Sequence, residues 1–321
     1  MTSLKSKLDH YIKNKIMHIP DGFISPPVAV MTTVISAGVL TLSFSKMGKD
    51  VKAPVIALTT AFIFAAQMIN FPVAGGTSGH LLGATLAVVI LGDPWVATIS
   101  ISTVLLIQAL LFADGGITAL GANIFNMGIV GVWVSWLLVT TIQRLLGGAK
   151  KRLPLAAGIT AAISTVSAAV SCSLLLIISG TAPLNLVLPA MTGTHILIGV
   201  GEGLITGSVL RYLLATNPDL LPDDESKLDK WLVPVIGTLL VAGVLSLLAS
   251  SWPDGLEKVA ENLGFIHLAE NVRVEVPTPF ADYQISGINE QIGTSISGVL
   301  GTLICFGLAF FMTKFISRKS A

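Results

Sequence analysis

Long stretches almost free of charged side chains recur along this sequence of 321 residues. The hydrocarbon core of a bilayer is about 30 Å thick and requires about 20 apolar residues per helix. Within it every backbone polar group must be hydrogen-bonded inside the protein, which a helix achieves by itself. Charged residues make up only 12% of the chain, against about 25% in soluble proteins. The sequence therefore predicts an all-α fold, a polytopic membrane helix bundle.

Nine segments are expected to cross or enter the membrane, seven in a core bundle and two in a C-terminal module. The predicted spans are 27–45, 53–70, 80–91, 95–112, 124–142, 155–180, 195–215, 232–251 and 293–314. Small residues in the sixth span indicate close helix packing. The third span is too short to cross alone, and we expect it to continue from a re-entrant, glycine-rich segment at 71–79. Irregular backbone at membrane depth requires a covering of protein or a water-filled cavity, so this segment is a candidate site.

Changes in composition divide the chain into four parts. Residues 1–16 form an N-terminal extension, and residues 17–216 form the seven-span core. A charged linker, NPDLLPDDESKLDK, covers residues 217–230, and residues 231–321 form the two-span module, whose outside loop runs from about 252 to 292. The linker indicates that a second module was joined to the first, by gene fusion or by late addition.

Basic residues predict which way the bundle faces. Four clusters follow the first, fifth, seventh and ninth spans, which places them on one side if the spans alternate. They are Lys46, Lys49 and Lys52; Arg144, Lys150, Lys151 and Arg152; Arg211, Lys227 and Lys230; and Lys314, Arg318 and Lys319. On the other side, after Met17, there are only Lys258 and Arg273. The positive-inside rule makes the first side cytoplasmic and places the N-terminus of the core outside.

The first sixteen residues depart from this rule, because their lysines would lie outside. The segment has no apolar core and is therefore not a signal peptide, although an amphipathic stripe could place it on the membrane surface. Two alternatives remain open. The segment belongs to the mature protein, or translation starts at Met17 or the extension is removed.

Histidines are the next signal, since ionisable residues near membrane spans are rare and usually functional. His18, His80, His195 and His267 are all expected at or near the outside face. If Met17 is the N-terminus, its free amine, the His18 backbone amide and the His18 Nδ1 atom can close two chelate rings in one plane. Square-planar nitrogen donors favour Ni(II) or Cu(II), with Co(II) binding more weakly. The amine deprotonates readily when a metal competes for it.

His80 is the candidate for the fourth donor. It ends the motif GGTSGH at 75–80, whose glycines allow the backbone to fold tightly into a crowded cavity. A single histidine on an apolar segment is more often a hydrogen-bonded structural residue. Its pairing with His18 on the same face favours ligation here.

Polar residues in two further motifs could support such a site. Gln108, Asp114, Asn123 and Asn126 surround the predicted turn between spans four and five, where they could hydrogen-bond the far nitrogen of a ligating imidazole. The alternative for this turn is ordinary loop and cap chemistry. His195 is expected to open the seventh span, with Glu202 two turns later. Glu202 either makes a structural hydrogen bond or takes part in ion passage.

These motifs together resemble the membrane substrate-binding component of energy-coupling-factor transporters for cobalt and nickel, the CbiM/NikM type. The matching pieces are MHIPDGF at 17–23, GGTSGHLLGA at 75–84, FADGGITALGANIFNMG at 112–128 and HILIGVGEGLITG at 195–207. The segment SWPDGLEKVAENLGF at 251–265 is similar to the small PDGLE/CbiN-like module often joined to this component. The resemblance covers nearly the whole chain after residue 16.

The resemblance implies a function, a ligand set and partners. The transported ion is Ni²⁺ or Co²⁺, with the MHIPDG spelling favouring nickel, held by the N-terminal amine and two histidines, here Met17, His18 and His80. With residues 1–16 attached, Met17 has no free amine. The sequence has no Gly-x-x-x-x-Gly-Lys-Ser/Thr loop and hence no ATP site of that kind. Two cytoplasmic ATPase subunits and a transmembrane coupling protein are therefore implied, in the cytoplasmic membrane of a bacterium or archaeon.

Two other classes of protein are less compatible with these residues. An intramembrane enzyme would need Asp114 and Glu202 as paired carboxylates, yet one is predicted in an outside turn and the other within a span. No His-Glu-x-x-His motif is present. A self-sufficient ion channel would need rings of charge that no span carries. With a net charge of +1 and no basic stripe, no nucleic-acid partner is expected, only membrane lipid. The sequence thus predicts a transporter component and no enzyme.

Overall fold

The computed structural model describes residues 17–47, 52–216, 232–271 and 278–319. The N-terminal extension, the linker at 217–230 and Arg273 lie outside these residues. The helices are α1 Pro26–Lys46, α2 Ala53–Gln67, α3 Ala84–Leu91, α4 Pro94–Leu111, α5 Leu120–Asn123, α6 Val132–Leu145, α7 Leu153–Ile178, α8 Leu184–Thr216, α9 Leu232–Gly243, α10 Gly255–Leu263, α11 Leu268–Asn271 and α12 Glu290–Lys319. A π-helical segment, Ile124–Gly131, joins α5 to α6, and strands β1 Phe71–Val73 and β2 Thr77–Gly79 form an antiparallel hairpin. Short 3-10 turns occur at Lys150–Arg152, Leu245–Leu248 and Ala281–Tyr283.

The prediction of an all-α membrane bundle is confirmed. Six helical segments in the described part of the chain are long and apolar enough to cross a membrane: Pro26–Lys46, Pro94–Leu111, Leu120–Leu145, Lys150–Ile178, Leu184–Thr216 and Glu290–Phe315. Two apolar segments are shorter, Ala53–Gln67 and Leu232–Leu248. The chain is therefore a multi-pass membrane protein.

Two predicted element boundaries are wrong. Residues 71–79 form a β-hairpin, and the third helix begins only at Ala84. The hairpin turns at Gly75 and Gly76, whose φ angles of +82° and +70° favour residues without a Cβ. The seventh span begins at Leu184, eleven residues before His195. Its polar residues and Pro189 interrupt the apolar pattern, but burial of Val187 and Met191 against neighbouring helices keeps this stretch helical.

Alternating helix directions gather the loops at two ends of the bundle. At one end the chain segments around residues 19, 78, 116, 253 and 280 hydrogen-bond one another or the ends of neighbouring helices. At the other end lie the described basic residues at or near the ends of α1, α6, α8 and α12, namely Lys46, Lys52, Arg144, Lys150, Lys151, Arg152, Arg211 and Lys314. Of the lysines and arginines in the described residues, only Lys258 lies at the first end. The four histidines of the described residues are at this first end, which we call the site end.

Helices α7 and α8 pack with their backbones in contact. A Cβ atom on Gly203 would lie 2.5 Å from the carbonyl oxygen of Gly158, and one on Gly158 would lie 2.7 Å from that of Gly203. Four residues along α8 in either direction, Gly199 and Gly207 face Ala162 and Pro154 in the same way. Small residues spaced by four let membrane helices approach closely, where packing supplies the association energy.

We expect Gly203→Ala to destabilise the fold by about 1–3 kcal/mol, because the added methyl group overlaps a backbone oxygen that cannot move aside. Thermal unfolding of the protein in detergent measures this loss. Gly38→Ala is the matched control, since Gly38 is also within a helix and has no atom within 4 Å of its Cβ position. An equal melting temperature for the two variants would contradict the close packing of α7 and α8.

The C-terminal module packs along the core. Gly298 and Gly301 of α12 leave space for Met68 and for the ring of Phe64, which belongs to α2. Beyond α9, the chain crosses the site end, where Ser250 donates a backbone hydrogen bond to Asn70 O at 2.7 Å. The loop of the module therefore lies over the core at the site end.

Candidate metal centre

The loop between α4 and α5 holds the segment that contains His18. Asn123 accepts a hydrogen bond from Ile19 N at 3.0 Å and donates one to Ile19 O at 3.1 Å. Gly116 N donates to the same carbonyl at 2.9 Å. Gly115, with φ of +89°, leaves only 3.0 Å between its Cβ position and His18 Cβ. His18 is thereby fixed and is only 3% exposed.

Asp21 adds a second attachment between these two segments. Its carboxylate accepts hydrogen bonds from Thr118 N at 2.8 Å, from Ile117 N at 3.3 Å and from the Thr118 hydroxyl. Gly116 packs directly on Asp21, and any side chain there would overlap it. The motifs at 17–23 and 112–128 thus form one structural unit.

A chain of buried hydrogen bonds runs from His18 to the C-terminal module. His18 Nδ1 donates to Asp114 Oδ1 at 2.9 Å, and the Tyr283 hydroxyl donates to Asp114 Oδ2 at 2.6 Å. Gln108 Nε2 in turn donates to the Tyr283 oxygen at 3.2 Å. Asp114 and Gln108 belong to the core, whereas Tyr283 lies in the loop that precedes α12.

Electrostatics favour an ionised pair between these two side chains. Burial lowers the pKa of His18, but attraction and hydrogen bonding to Asp114 outweigh it and hold this pKa above its ordinary value. Burial raises the pKa of Asp114, but His18 outweighs it and holds this pKa below its ordinary value. Burial and the nearby Asp114 carboxylate raise the pKa of Tyr283 well above its ordinary value, so its hydroxyl stays protonated. Below the pKa of His18, a cation that binds to this imidazole competes with a proton.

His80 is positioned by hydrogen bonds to Leu82 and Gly83, which lie between it and α3. Leu82 N and Gly83 N donate to the two carboxylate oxygens of Glu202, at 2.7 and 3.0 Å. Gln67 Nε2 donates to Leu82 O at 3.1 Å. Glu202 is only 1% exposed, and its carboxylate therefore serves to hold the His80 loop.

The two imidazoles face each other across a cavity of about 80 Å³. The ring centroids of His18 and His80 are 5.1 Å apart, with an angle of 58° between the planes. His18 Nε2 and His80 Nδ1 are buried and make no hydrogen bond, although Asp254 Oδ2 lies 3.2 Å from His80 Nδ1. A buried nitrogen without a partner costs free energy, which a metal ion bound at His18 Nε2 would recover. Met17 also lines the cavity and is only 5% exposed.

Side chains alone do not complete a metal site. Within the described ranges no group of three or more His, Cys, Asp or Glu side chains has an arrangement that could hold a metal ion. Two imidazole rings meet here, and the backbone or an amine could supply further donors. The cavity lining, as far as the structure describes the chain, contains no lysine or arginine.

The remaining predicted residues occupy different places. Asn126 and His195 line the cavity. Asn126 accepts a hydrogen bond from Ser171 at 2.6 Å, and His195 Nδ1 donates to Met191 O at 2.8 Å. His267 is exposed, donates to Gly264 O at 2.9 Å and is not part of the cavity lining. Glu202 also lies outside the lining and acts through the His80 loop.

The ring orientation of His18 differs from the chelate predicted from the sequence. That chelate uses Nδ1, which here faces Asp114, while Nε2 points away without a partner. A turn of the ring about the Cβ–Cγ bond would be needed to present Nδ1 to a metal. The sequence contains Asp114 but cannot show which nitrogen it meets.

Two residues at the site were not predicted, Asp254 and Tyr283. Asp254 lines the cavity 3.2 Å from His80, and Tyr283 orients Asp114. Both belong to the C-terminal module, more than 130 residues along the chain from Asn123. The motif SWPDGLE could have drawn attention to Asp254, whereas no local pattern distinguishes Tyr283.

Comparisons with known proteins agree with the motifs. A family model described as CbiM, cobalt uptake substrate-specific transmembrane region, matches residues 18–220, and a PDGLE domain model matches residues 229–318. A putative fused nickel transport protein NikMN of Archaeoglobus fulgidus is 36% identical over 302 residues, which is 93% of this chain and 99% of that protein. A putative cobalt transport protein, CbiM 2, of Methanocorpusculum labreanum is 29% identical over 216 residues, 64% of this chain and 92% of that protein. The resemblance deduced from the sequence is confirmed.

A solved structure extends the likeness to three dimensions. The crystal structure of a truncated transition metal transporter is similar to this chain with a TM-score of 0.54 and 37% identity. It covers 62% of this chain, which in turn covers 99% of that structure. The relatives are named as metal transport proteins and not as enzymes.

Proposed function

Because this chain belongs to the CbiM family of cobalt-uptake substrate-specific transmembrane regions and continues into a PDGLE domain, we propose that it is the substrate-capture component of an ATP-driven importer. Its substrate is a divalent transition-metal ion, Ni²⁺ or Co²⁺. The ion binds at the site end of the bundle and is delivered inward with the help of partner ATPases.

One observation carries this proposal: the imidazoles of His18 and His80 face each other across a small cavity, His18 Nε2 is buried without a hydrogen bond, and His80 Nδ1 has only the Asp254 carboxylate beside it. Imidazole suits nickel, copper, zinc and iron, whereas magnesium and calcium take oxygen ligands. The acidic groups nearest to the rings, Asp114 and Asp254, favour a cation. These carboxylates also fix the orientation of the imidazoles, as carboxylates commonly do at metal sites.

The proposed ligands are Met17, His18 and His80. His18 and His80 supply imidazole nitrogens, and Met17 supplies its amine where that amine is free. Nitrogen donors bind nickel more tightly than cobalt, in line with the Irving–Williams order. We therefore favour nickel as the substrate.

The site end is proposed to face outward. Nearly all lysines and arginines of the described residues lie at the opposite end, which the positive-inside rule makes cytoplasmic. Import from that outer face against a gradient requires energy, and this sequence has no phosphate-binding loop. Two cytoplasmic ATPase subunits and a transmembrane coupling protein are the proposed partners.

Calorimetric titration of the purified chain in detergent tests the binding step. We expect one Ni²⁺ or Co²⁺ per chain at submicromolar dissociation constant, and no comparable binding of Mg²⁺. Affinity for nickel and cobalt no greater than for magnesium would refute the proposal. Uptake by cells that produce this chain, with and without ATP depletion, separates an importer from a channel, because only a channel continues to conduct.

The intramembrane-enzyme alternative requires a free pair of carboxylates. Asp114 is bonded to His18 and Tyr283, and Glu202 to Leu82 and Gly83. Neither carboxylate is available to the other, and this arrangement supports binding over catalysis.

A further inference from the structure

The C-terminal module contacts His80 directly and His18 through Asp114. Asp254, which belongs to that module, lies 3.2 Å from His80 Nδ1, and Tyr283 of the same module donates a hydrogen bond to Asp114, the partner of His18. We infer that the module completes the metal site and that Asp254 and Tyr283 are positioning residues for the two histidine ligands. This inference rests on the proposed metal-binding function.

The Asp254 loop is joined to the hairpin that precedes His80. Ser78 N donates to Pro253 O at 2.8 Å, and the Ser78 hydroxyl donates to Trp252 O at 2.7 Å. The Thr77 hydroxyl donates to Pro253 O at 3.0 Å. The loop and the hairpin therefore move together, which keeps Asp254 beside His80.

Asp254 has one carboxylate oxygen for each of two tasks. Oδ1 caps α10 by accepting from Leu256 N at 2.8 Å and Glu257 N at 3.3 Å. This cap fixes the rotamer and turns Oδ2 towards His80 Nδ1 at 3.2 Å. The next residue must be small, because a Cβ on Gly255 would lie 2.9 Å from the ring of His195. The close approach of the module to α8 brings the carboxylate into the cavity.

Backbone hydrogen bonds and ring packing hold the segment around Tyr283 against the end of α4. Phe280 N donates to Leu111 O at 3.0 Å, and Asp282 N donates to Phe112 O at 2.9 Å. The rings of Tyr283 and Phe112 pack with centroids 4.8 Å apart. Tyr283 adopts a φ of +59°, which is unfavourable for a bulky side chain and persists only where surrounding contacts enforce it. Here those contacts direct the hydroxyl to Asp114.

Carboxylates that hydrogen-bond a ligating imidazole fix its orientation and raise its basicity, and removing such partners typically costs 10–100-fold in metal affinity. Within the described residues, the core supplies a carboxylate partner for His18, which is Asp114. Among the same residues, it supplies no carboxylate partner for His80. The module supplies that second contact and also fixes the first through the Tyr283 hydroxyl. Both histidines are therefore oriented with help from the module.

Two conservative variants of the full chain test the inference. Tyr283→Phe removes the hydroxyl and keeps the ring packing, while Asp254→Asn removes the charge and keeps a side chain that caps helices well. We expect each to weaken Ni²⁺ and Co²⁺ binding by about 10–100-fold in calorimetric titrations. We also expect a shift of the ligand-field absorption bands of the bound ion, which a simple loss of stability would not produce.

Matched controls exist for both substitutions. Asp93→Asn alters a cap of the same kind, on Trp95 N and Val96 N, at the opposite end of the bundle. Tyr212→Phe removes a hydroxyl from an exposed tyrosine of α8. Both controls should bind metal within about twofold of the unaltered chain.

A double-mutant cycle tests the route through Asp114. If Tyr283 acts through this carboxylate, Tyr283→Phe combined with Asp114→Asn should bind no more weakly than Asp114→Asn alone, within about twofold. Additive losses would overturn that route. Should Tyr283→Phe not fold, Gln108→Met removes the donor to the Tyr283 oxygen and tests the same chain of bonds.

The outcomes separate this inference from the proposed function. If the unaltered chain binds neither nickel nor cobalt, the proposed function fails. If it binds tightly and Tyr283→Phe or Asp254→Asn binds equally well with unchanged spectra, the inference is overturned for the residue removed and the proposed function stands.

Discussion

Replacement of His80 by alanine is expected to abolish tight nickel and cobalt binding, with a loss of at least about 100-fold, or about 2.7 kcal/mol. The variant removes one of the two facing imidazoles. In the part of the chain that the structure describes, His18 Nε2 then has no second imidazole nitrogen nearby with which to coordinate a metal ion. The described residues offer no third histidine or cysteine that completes a cluster of metal-binding side chains. Calorimetric titration with each metal, on chain purified in detergent, measures the loss.

The fold should survive this substitution. The loop around His80 is held by Glu202 and Gln67 through backbone groups of Leu82 and Gly83, none of which involve the imidazole. Thermal unfolding should therefore stay within a few degrees of the unaltered chain, since a change of 1 kcal/mol moves the melting temperature by only about 2–4 °C even in chains of roughly 150–250 residues, and the shift falls as the unfolding entropy grows with length. His267→Ala, at an exposed histidine outside the cavity lining, is the control. Tight binding retained by a folded His80→Ala variant would remove His80 from the ligand set.

A chain that begins at Met17 is expected to bind nickel at least about 100-fold more tightly than the chain that carries residues 1–16, a difference of about 2.7 kcal/mol. A free amine has a lone pair that competes well for a metal near neutral pH, whereas a peptide nitrogen at the same place has none to offer until it loses its proton. Met17 lines the cavity beside His18, so its amine would lie close to both imidazoles. Titration of the two chains under identical conditions measures the difference.

A chain with a single residue added before Met17 is the control, because it blocks the amine with the least added bulk. It should bind as weakly as the longer chain. Equal affinity in all three chains would exclude the amine and require another donor. Native mass spectrometry of the full-length gene product, with equal nickel and cobalt present, shows in one spectrum where the mature chain begins and which ion it holds.

Much of the fold was predictable from the distribution of apolar residues. Spans such as 53–70 and 95–112 nearly coincide with α2 and α4, because uninterrupted apolar runs of this length have few alternatives to a helix. The start of α8 was not predictable in this way, since Pro189 and nearby polar residues break the apolar pattern. There the buried side chains of Val187 and Met191 outweigh local propensity.

The candidate site was predictable to the extent that its residues lie in compact motifs. His18 and His80 stand in short segments with unusual composition, and the structure brings their rings to 5.1 Å. The parts that could not be predicted depend on distant contacts: which nitrogen of His18 faces Asp114, and the arrival of Asp254 and Tyr283 from another module. Such contacts are decided by how helices pack and leave no local trace in the sequence.

Residues 217–231 connect α8 to α9, and this covalent connection affects how the module and the core find each other. Docking of the Asp254 loop on the hairpin is an intramolecular event, for which short linkers provide effective concentrations of the order of millimolar. The few hydrogen bonds that Ser78 and Thr77 make to the loop therefore need to be only modestly favourable for the docked state to dominate. A separately made module would have to diffuse in the bilayer and bind at its own cellular concentration. In the fused chain the stoichiometry is one to one, independent of expression level.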